Sequence, residues 1–309
     1  MDFKGRDVIA IHDFSTKEIM RILDVAREMV PAARGDETLL LLPGKVMASF
    51  FFEPSTRTRL SFEAAMKRLD GKTVGFSDIQ STSAKKGETL ADTVRMAEAY
   101  SDCMVIRHYN EGAARLAAKF SSKPVINAGD GAGQHPTQTL LDLFTIREEM
   151  GDIKGNRVVL AGDLKYGRTV HSLAYALSMF GVPMCFVSPP TLEMPSEFVA
   201  SVKDRGVDVV ESHNLAEAVE DADVLYMTRI QKERFPDSSE YEKIAGSHRV
   251  NMELLSGAKK GMIIMHPLPR VDEIDPEVDE RQNAVYFKQA FNGVPVRMAL
   301  LSLVLGAKG

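Results

Sequence analysis

The stretch "FFFEPSTRTRLSFE", which begins at Phe50, joins an apolar run directly to hydroxyl and guanidinium groups. We predict that the three phenylalanines end a buried strand, that Pro54 stops it, and that a helix begins within the hydroxyl cluster. The first turn of a helix offers unpaired N–H groups and the positive end of the helix dipole, which suit phosphate. An ordinary helix cap would explain one hydroxyl, but not the dense alternation. The residues predicted to form this phosphate cradle are Ser55, Thr56, Arg57 and Thr58.

Cationic side chains also follow other apolar runs, at the point where each run ends. They are Arg57 and Arg59 after Val46–Phe52, Arg107 after "CMVI", Lys165 and Arg168 after "RVVLAGD", Arg229 after "VLYMT", and Arg270 after "MIIMHPLP". In open parallel sheets, ligands bind beyond the carboxyl ends of the strands. Because the net charge is −5, such a cluster predicts a local site for a small, multiply anionic ligand. Any single arginine could instead cap a chain end or pair with a carboxylate.

Short apolar runs alternate with segments of helical periodicity along the chain. Nine runs have strand length: Val46–Phe52, Thr73–Phe76, Cys103–Ile106, Pro124–Asn127, Arg157–Ala161, Pro183–Val187, Val207–Val210, Val224–Met227 and Met262–Met265. They are continuous rather than alternating, as expected for strands buried on both faces. This pattern predicts an α/β protein with two doubly wound parallel-sheet domains joined by helices.

The domain boundary is predicted after the glycine-rich loop that precedes His135. The first domain covers 1–133 and the second 134–289, while an apolar helix at about 290–309 packs back on the first. The first helix starts at Ser15, where Ser15 and Glu18 form a capping-box pattern.

Two further glycine-containing loops are candidate phosphate sites. The segment "GDLKYGRT", at 162–169, is one residue away from a Walker A loop, but Arg168 replaces the lysine that reaches the phosphates. The segment "GDGAG", at 129–133, does not form a dinucleotide fingerprint. A nucleotide triphosphatase is therefore disfavoured, and the seven histidines show no paired spacing that predicts a metal.

His135 immediately precedes Pro136, which suits the first turn of a helix. The helix dipole disfavours a protonated imidazole there, so a neutral imidazole donating to a carbonyl oxygen is the reasonable role. A lone histidine is more often structural, but this one follows a glycine loop and precedes Gln138 on the same side of the helix.

The composition limits the classes of partner. An acidic net charge argues against a general nucleic-acid or acidic-membrane binder. The N-terminus lacks the pattern of a signal peptide, and no apolar run reaches the roughly 20 residues of a membrane helix. Cys103 and Cys185 lie in apolar runs and are predicted to be core residues, so we expect a reducing cytoplasm.

With these residues placed, the chain resembles the catalytic chains of aspartate carbamoyltransferases. The matching segments are "FxEPSTRTRxSFE", "SxxKGETLxDT", "MVIRH", "HPTQxLLDLFTI", "KYGRTVHS", "TRIQKERF" and "HPLPR", in this order from about 50 to 270. Ornithine carbamoyltransferases are the runner-up, but they usually carry "HCLP" and a Ser-Met-Gly motif that this chain lacks.

The resemblance implies transfer of a carbamoyl group from carbamoyl phosphate to L-aspartate, an early step of de novo pyrimidine biosynthesis, without a cofactor. Residues 1–133 would bind carbamoyl phosphate and residues 134–289 aspartate. The implied carbamoyl-phosphate residues are Ser55, Thr56, Arg57, Thr58, Arg107, His135, Gln138, Ser83 and Lys86, of which Arg57, Thr58, Arg107, His135 and Lys86 are implied to be catalytic. The implied aspartate residues are Lys86, Arg168, Arg229, Gln231, Pro267 and Leu268.

The resemblance also implies a homotrimer in which Ser83 and Lys86 reach the site of a neighbouring chain. The loop "STSAKKGE", at 81–88, is one residue shorter than the family spacing, which affects the match of Ser83. The segment "NEGAARLAAKF" resembles the region that contacts regulatory chains in some relatives, so a separate regulatory chain is an open alternative. A non-enzymatic, anion-binding regulatory protein on this fold is the contrasting alternative.

Overall fold

The computed structural model describes residues 2–78, 86–230 and 248–308. The chain divides into two compact units: unit 1 comprises Met1–Phe144 and Phe291–Gly309, and unit 2 comprises Thr145–Ala290. The sequence-based boundary at 133 precedes helix Pro136–Met150, whereas the division of the structure lies inside that helix.

Unit 1 contains a four-stranded parallel sheet. Its strands are β1 (Val46–Phe51), β2 (Lys72–Phe76), β3 (Cys103–His108) and β4 (Val125–Asp130). Its helices are α1 (Thr16–Arg34), α2 (Arg57–Arg68), α3 (Leu90–Tyr100), α4 (Ala113–Phe120) and the first part of α5 (Pro136–Met150). The strand order is β2-β1-β3-β4, so β1 and β3 are central and lie side by side.

Both faces of the central strands are buried, as their continuous apolar sequences predict. Ala48 and Phe50 of β1 and Ile106 of β3 pack with residues of α3 and α4 on one face, while Met47 and Phe51 are buried on the other. The edge strand β2 differs, because most of its side chains are partly or fully exposed. The two-sided burial predicted for every run is therefore wrong for β2, although β4, the other edge strand of this sheet, is buried throughout. The prediction is also wrong for the run Val207–Val210, in which Val210 is exposed.

Unit 2 contains a five-stranded parallel sheet in the order β7-β6-β5-β8-β9. Its strands are β5 (Val158–Ala161), β6 (Met184–Val187), β7 (Val209–Ser212), β8 (Val224–Met227) and β9 (Ile263–Met265). Its helices are α6 (Arg168–Met179), α7 (Ser196–Lys203), α8 (Leu215–Glu220), α9 (Met252–Ser256) and the start of α10 (Tyr286–Val304), which continues into unit 1.

The core of unit 2 lies against the central strands β5 and β8. Val159 of β5 and Leu225 of β8 pack with Leu215 of α8 and Leu255 of α9 on one face. The strand residues that point to the opposite face of the sheet, such as Leu160, are equally buried. Strands buried on both faces leave their carboxyl ends as the place where polar groups meet solvent and ligand.

The α/β class with two parallel sheets is confirmed. All nine predicted strands are present, each displaced by at most a few residues at its ends. The capping box at the start of α1 is also present: Ser15 accepts from the Glu18 backbone N–H, and Glu18 accepts from the Ser15 N–H at 2.8 Å.

Candidate active site

The phosphate cradle lies in the turn between β1 and α2. Strand β1 ends at Phe51 and α2 begins at Arg57, with Thr56 as the preceding cap residue. The Thr56 side chain makes no capping hydrogen bond, and Thr56 and Arg57 are both exposed. Thr58 is buried in the first turn. The structure therefore places a helix start, exposed hydroxyl and guanidinium groups and the end of a parallel strand together, as the sequence predicts.

The two arginines of this segment have different surroundings. Arg59 pairs with Glu63 one turn further along α2, with 2.9 Å between Nη1 and Oε1. Its charge is thus engaged by a carboxylate of its own helix. Arg57 is an exposed side chain at the first position of the same helix. This difference makes Arg59 a natural control for Arg57.

Arg107 lies beside the cradle because β3 pairs with β1. Phe51 and Arg107 are register partners, and the Phe52 N–H donates to the Arg107 carbonyl at 2.9 Å. The side chain is 12% exposed; its Nη1 donates to the Ala128 carbonyl at 3.3 Å and its Nη2 lies 3.2 Å from Glu53 Oε1. An anion that binds Arg107 would compete with Glu53, a partner that the sequence did not predict.

His135 and Gln138 stand at the start of α5, after β4. Asp130, at the end of β4, accepts from the Gln134 N–H and the Gly112 N–H, both at 2.8 Å. His135 is buried, and its Nδ1 lies 3.5 Å from the Thr137 hydroxyl oxygen. Because β1, β3 and β4 are consecutive in the sheet, the cradle, Arg107 and the His135 turn follow the same edge.

In unit 2, Arg168 and Arg229 follow the neighbouring strands β5 and β8. Arg168 is the first residue of α6, and Arg229 follows the end of β8 by two residues; both are half-buried. The strand ends are held together by Thr228, whose N–H donates to the Ala161 carbonyl at 2.8 Å and whose hydroxyl accepts from the Asp163 N–H at 3.1 Å. Two cations thus stand at one edge of this sheet.

The glycines of the Walker-like segment have a packing role. Gly162 has a φ of 110°, and a Cβ there would collide with the Thr228 carbonyl. Gly167 likewise leaves no room for a Cβ beside the Asp163 carbonyl. Close backbone approach therefore accounts for both glycines, and no phosphate is needed to explain them.

Pro267 and Leu268 belong to a loop that follows β9 and is fixed by buried side chains. The Leu268 N–H donates to His266 Nδ1 at 2.8 Å, and His266 Nε2 lies 2.6 Å from Glu273 Oε1. Leu268 has a φ of 55°, which is uncommon for a residue with a side chain. The His266–Glu273 pair therefore holds an unusual backbone conformation at Leu268, one of the two residues of this loop that the resemblance implicates in aspartate binding.

Arg270 does not fit the expectation that every cation after a strand serves a ligand. Its Nη1 and Nη2 lie 2.5 Å from the two carboxylate oxygens of Asp279, and Nη1 donates to the Tyr286 hydroxyl at 3.1 Å. The Asp279 hydrogen bond is the main reason that the pKa of Arg270 is raised. The alternative for single arginines, pairing with a carboxylate, is correct here.

Lys86 is exposed and lies in unit 1, while Ser83 and Gln231 lie outside the described residues.

Within 2–78, 86–230 and 248–308, no group of three or more His, Cys, Asp or Glu side chains could hold a metal ion. In the same ranges, no helix is long and apolar enough to cross a membrane. Both cysteines are buried thiols, and burial raises the pKa of Cys103 to about 12, so this thiol is no nucleophile.

Comparison with protein families matches both units. Residues 6–148 match the carbamoyl-phosphate binding domain of aspartate/ornithine carbamoyltransferases, and residues 154–304 match their aspartate/ornithine binding domain. The chain belongs to the aspartate/ornithine carbamoyltransferase family.

Members of this family named for aspartate are similar over the whole chain. The aspartate carbamoyltransferase catalytic subunit of Thermococcus kodakarensis is 57% identical over 309 residues and covers 100% of both chains. That of Methanocella arvoryzae is 55% identical, covering 99% of each chain.

Solved structures of such carbamoyltransferases have the same fold. The aspartate transcarbamoylase catalytic subunit of M. jannaschii has a TM-score of 0.93 at 53% identity, with 97% of this chain and 98% of the other covered. The aspartate transcarbamoylase of Trypanosoma cruzi, solved with carbamoyl phosphate and aspartate, has a TM-score of 0.91 at 41% identity, with 98% of each chain covered.

Proposed function

We propose that this chain transfers the carbamoyl group of carbamoyl phosphate to the amine of L-aspartate, giving N-carbamoyl-L-aspartate and phosphate. The observation that carries the proposal is that cationic side chains follow the carboxyl ends of the strands in each sheet. In unit 1 a phosphate cradle lies beside Arg107, and in unit 2 Arg168 and Arg229 follow neighbouring strands. One set suits a phosphate and the other a dicarboxylate. The similarity to enzymes named for aspartate supports this choice of acceptor.

The unit 1 residues act on the phosphate and the carbonyl group. Ser55, Thr56, Arg57 and Thr58 hold the phosphate through helix N–H groups, hydroxyls and one guanidinium. Arg107 bridges the phosphate and the carbonyl oxygen. Together with Thr58 and His135 it stabilises the negative charge that develops on that oxygen when the amine attacks.

The unit 2 residues act on the amino acid. Arg168, Arg229 and Gln231 bind the two carboxylates, which a cationic acceptor such as ornithine would not match. The Pro267 and Leu268 carbonyls, with Gln138 of unit 1, orient the carbamoyl nitrogen or the attacking amine.

No covalent enzyme intermediate is needed. The C–N bond forms as the C–O bond to phosphate breaks, and the departing phosphate accepts the amine proton. Catalysis then rests on orientation and on charge stabilisation.

A product assay tests the acceptor directly. Purified protein is given carbamoyl phosphate with aspartate or ornithine in parallel, and the carbamoylated products are separated and quantified. We expect N-carbamoyl-aspartate and only traces of citrulline. Citrulline as the main product would support the ornithine alternative, and tight carbamoyl-phosphate binding without turnover would support the non-enzymatic one.

We further propose that the working unit is a homotrimer with shared sites, in which Ser83 and Lys86 serve the neighbouring chain. The exposure of Lys86 and the family resemblance support this proposal. Inactive Arg57→Ala and Lys86→Ala chains can be dissociated, mixed and reassembled. A site with an intact cradle and an intact neighbouring lysine then regains activity.

A matched control for this mixing experiment uses Arg57→Ala with Arg107→Ala. Both changes lie in the same half-site, so no mixture of these two chains creates an intact site. If verified hybrid trimers of Arg57→Ala and Lys86→Ala stay inactive, Lys86 serves its own chain and the shared-site proposal fails.

The proposed reaction belongs to pyrimidine synthesis in the cytoplasm. A strain that lacks its own aspartate carbamoyltransferase should grow without added pyrimidine when it expresses this chain. Fractionation of the same cells locates the protein, and native mass measurement of the protein purified from its source shows whether regulatory chains accompany the trimer.

A further inference from the structure

Arg297 is a buried cation in the mainly apolar second half of α10. Only 2% of its surface is exposed, and burial lowers its pKa to about 9. A buried charge is costly unless its surroundings compensate it. The groups that contact Arg297 therefore indicate its role.

The guanidinium of Arg297 contacts two other helices of unit 1. Its carbon Cζ lies 4.9 Å from the centre of the Phe62 ring in α2, and its Nη2 donates to the Thr137 hydroxyl in α5 at 3.4 Å. Asp142 of α5 supplies the opposing negative charge. Gly293, one turn earlier in α10, makes room, because a Cβ there would collide with Nη1 of Arg297.

Both contacted helices begin with proposed substrate-binding residues. Helix α2 begins at the phosphate cradle, and α5 begins directly after His135. Asp142, which is completely buried, also accepts a hydrogen bond from Gln138 Nε2 at 2.9 Å. One guanidinium therefore touches the helix of the cradle and interacts with the carboxylate that orients Gln138.

We propose that Arg297 is a positioning residue that fixes the first turn of α5, with His135 and Gln138, relative to the phosphate cradle of α2. This proposal rests on the proposed carbamoyl transfer. Arg297 touches no substrate in this scheme; it acts through Phe62, Thr137 and the Asp142–Gln138 hydrogen bond. Displacing a catalytic group by about 1 Å can cost 100-fold in rate.

A simple stabilising role makes a different prediction. Buried ion pairs can often be replaced by apolar side chains without loss of stability, whereas removing one partner leaves an uncompensated charge. Arg297→Met alone removes the positive charge that opposes the buried carboxylate of Asp142. The double variant Asp142→Asn/Arg297→Met removes both charges, and the new amide oxygen can still accept from Gln138.

The experiment compares both variants with the wild type in steady-state kinetics and thermal unfolding. We expect kcat to fall about 10- to 100-fold in both variants, and KM for carbamoyl phosphate to rise. KM for aspartate should change less than about two-fold, because Arg168 and Arg229 belong to unit 2. The double variant should regain most of the melting temperature that Arg297→Met loses, but not the rate.

Arg147→Met is the matched control. Arg147 is another buried arginine, at the far end of α5 and roughly 18 Å along the helix from His135. Its replacement should alter stability without changing kcat. The control separates the general cost of removing a buried guanidinium from the effect at the site.

Wild-type kcat in the folded double variant would overturn the proposal, as would equal rate losses in Arg147→Met and Arg297→Met. An inactive wild-type chain is a different result, because it refutes carbamoyl transfer itself and the Arg297 role with it. The two failures are distinguished by the wild-type assay.

Discussion

Replacing Glu273 by Gln tests whether the loop after β9 is positioned by its buried carboxylate. Glu273 is 4% exposed and accepts from three N–H groups: His266 Nε2 at 2.6 Å, the Val271 N–H at 3.0 Å and the Asp272 N–H at 3.1 Å. His266 Nδ1 already accepts from the Leu268 N–H. The proton of a neutral imidazole therefore lies on Nε2, facing Glu273.

The cost of Glu273→Gln follows from counting donors. Gln has one acceptor oxygen, and its amide group is itself a donor, so the three N–H groups can no longer all be satisfied. Each buried donor left without an acceptor costs about 1–3 kcal/mol. We expect the free energy of unfolding to fall by about 2–4 kcal/mol, and the melting temperature by roughly 5–12 °C.

The same substitution should change the response to acid. Burial alone would raise the pKa of Glu273, but the hydrogen bond from His266, the electrostatic attraction to the His266 imidazole and the backbone N–H groups together outweigh burial and lower the pKa. Below the unfolded value of about 4.3, the unfolded chain therefore binds more protons than the folded one. The contribution of Glu273 is complete above about pH 5 and is lost as the pH falls through the folded pKa.

Thermal unfolding between about pH 3 and 7, with kcat measured near neutral pH, checks both effects. The stability difference between wild type and Glu273→Gln should be constant above about pH 5 and shrink below it, while kcat falls tenfold or more as the Pro267 and Leu268 carbonyls move. Glu277→Gln, an exposed carboxylate of the same segment, is the control and should match the wild type. A stability difference that is independent of pH, or wild-type kcat in Glu273→Gln, would refute the positioning role of this carboxylate.

Three further outcomes are expected. Arg57→Ala should lower turnover about 100-fold or more, because it removes a charged donor to the phosphate. Turnover of the control Arg59→Ala should stay near the wild-type value, since Arg59 pairs with Glu63. Near-normal turnover in a folded Arg57→Ala variant would show that Arg57 does not belong to the cradle. Arg229→Ala should raise KM for aspartate while carbamoyl-phosphate binding, measured by calorimetry, is kept; the reverse pattern would mean that the half-sites are exchanged. Cys103 should resist iodoacetamide in the folded protein, because burial raises its pKa to about 12; rapid labelling seen by mass spectrometry would contradict its buried, neutral state.

The sequence predicts the positions that depend on local order. A strand followed by a proline and hydroxyl residues determines where α2 begins, and Pro136 marks the start of α5. Parallel pairing then brings the strand ends to one edge of each sheet. The cradle, Arg107, Arg168 and Arg229 can be located in this way from the amino-acid sequence alone.

Interactions between distant segments cannot be predicted in this way. Arg229 and Arg270 both follow apolar runs, but Arg270 pairs with Asp279 nine residues later, a contact that depends on how the chain turns back. The pairing of Arg107 with Glu53 depends on the register of β3 against β1. A lone arginine within "VPVRMALL" is a visible signal for Arg297, because long apolar segments rarely bury a charge without a partner.

Buried carboxylates hold the loops that carry the proposed site residues. Asp130 accepts a hydrogen bond from the Gln134 N–H in the loop before His135, and Asp163 accepts one from the Tyr166 N–H in the loop before Arg168. Glu273 accepts from two backbone N–H groups in the loop that follows Pro267. Asp130 is the last residue of β4, Asp163 follows β5 by two residues, and Glu273 lies in the longer loop after β9. Each acid is at most 4% exposed. A loop that only hydrogen-bonds to solvent would not hold a guanidinium or a carbonyl in one place.

These acids therefore have a role distinct from that of the surface carboxylates that give the protein its negative charge. A substrate-binding cation contributes to catalysis only when it is held in a fixed position, because displacement weakens its interaction with the transition state. The buried acids fix the backbone on which the cations and carbonyls stand. Substitutions at Asp130, Asp163 and Glu273 should consequently lower kcat although none of the three touches a substrate in the proposed scheme.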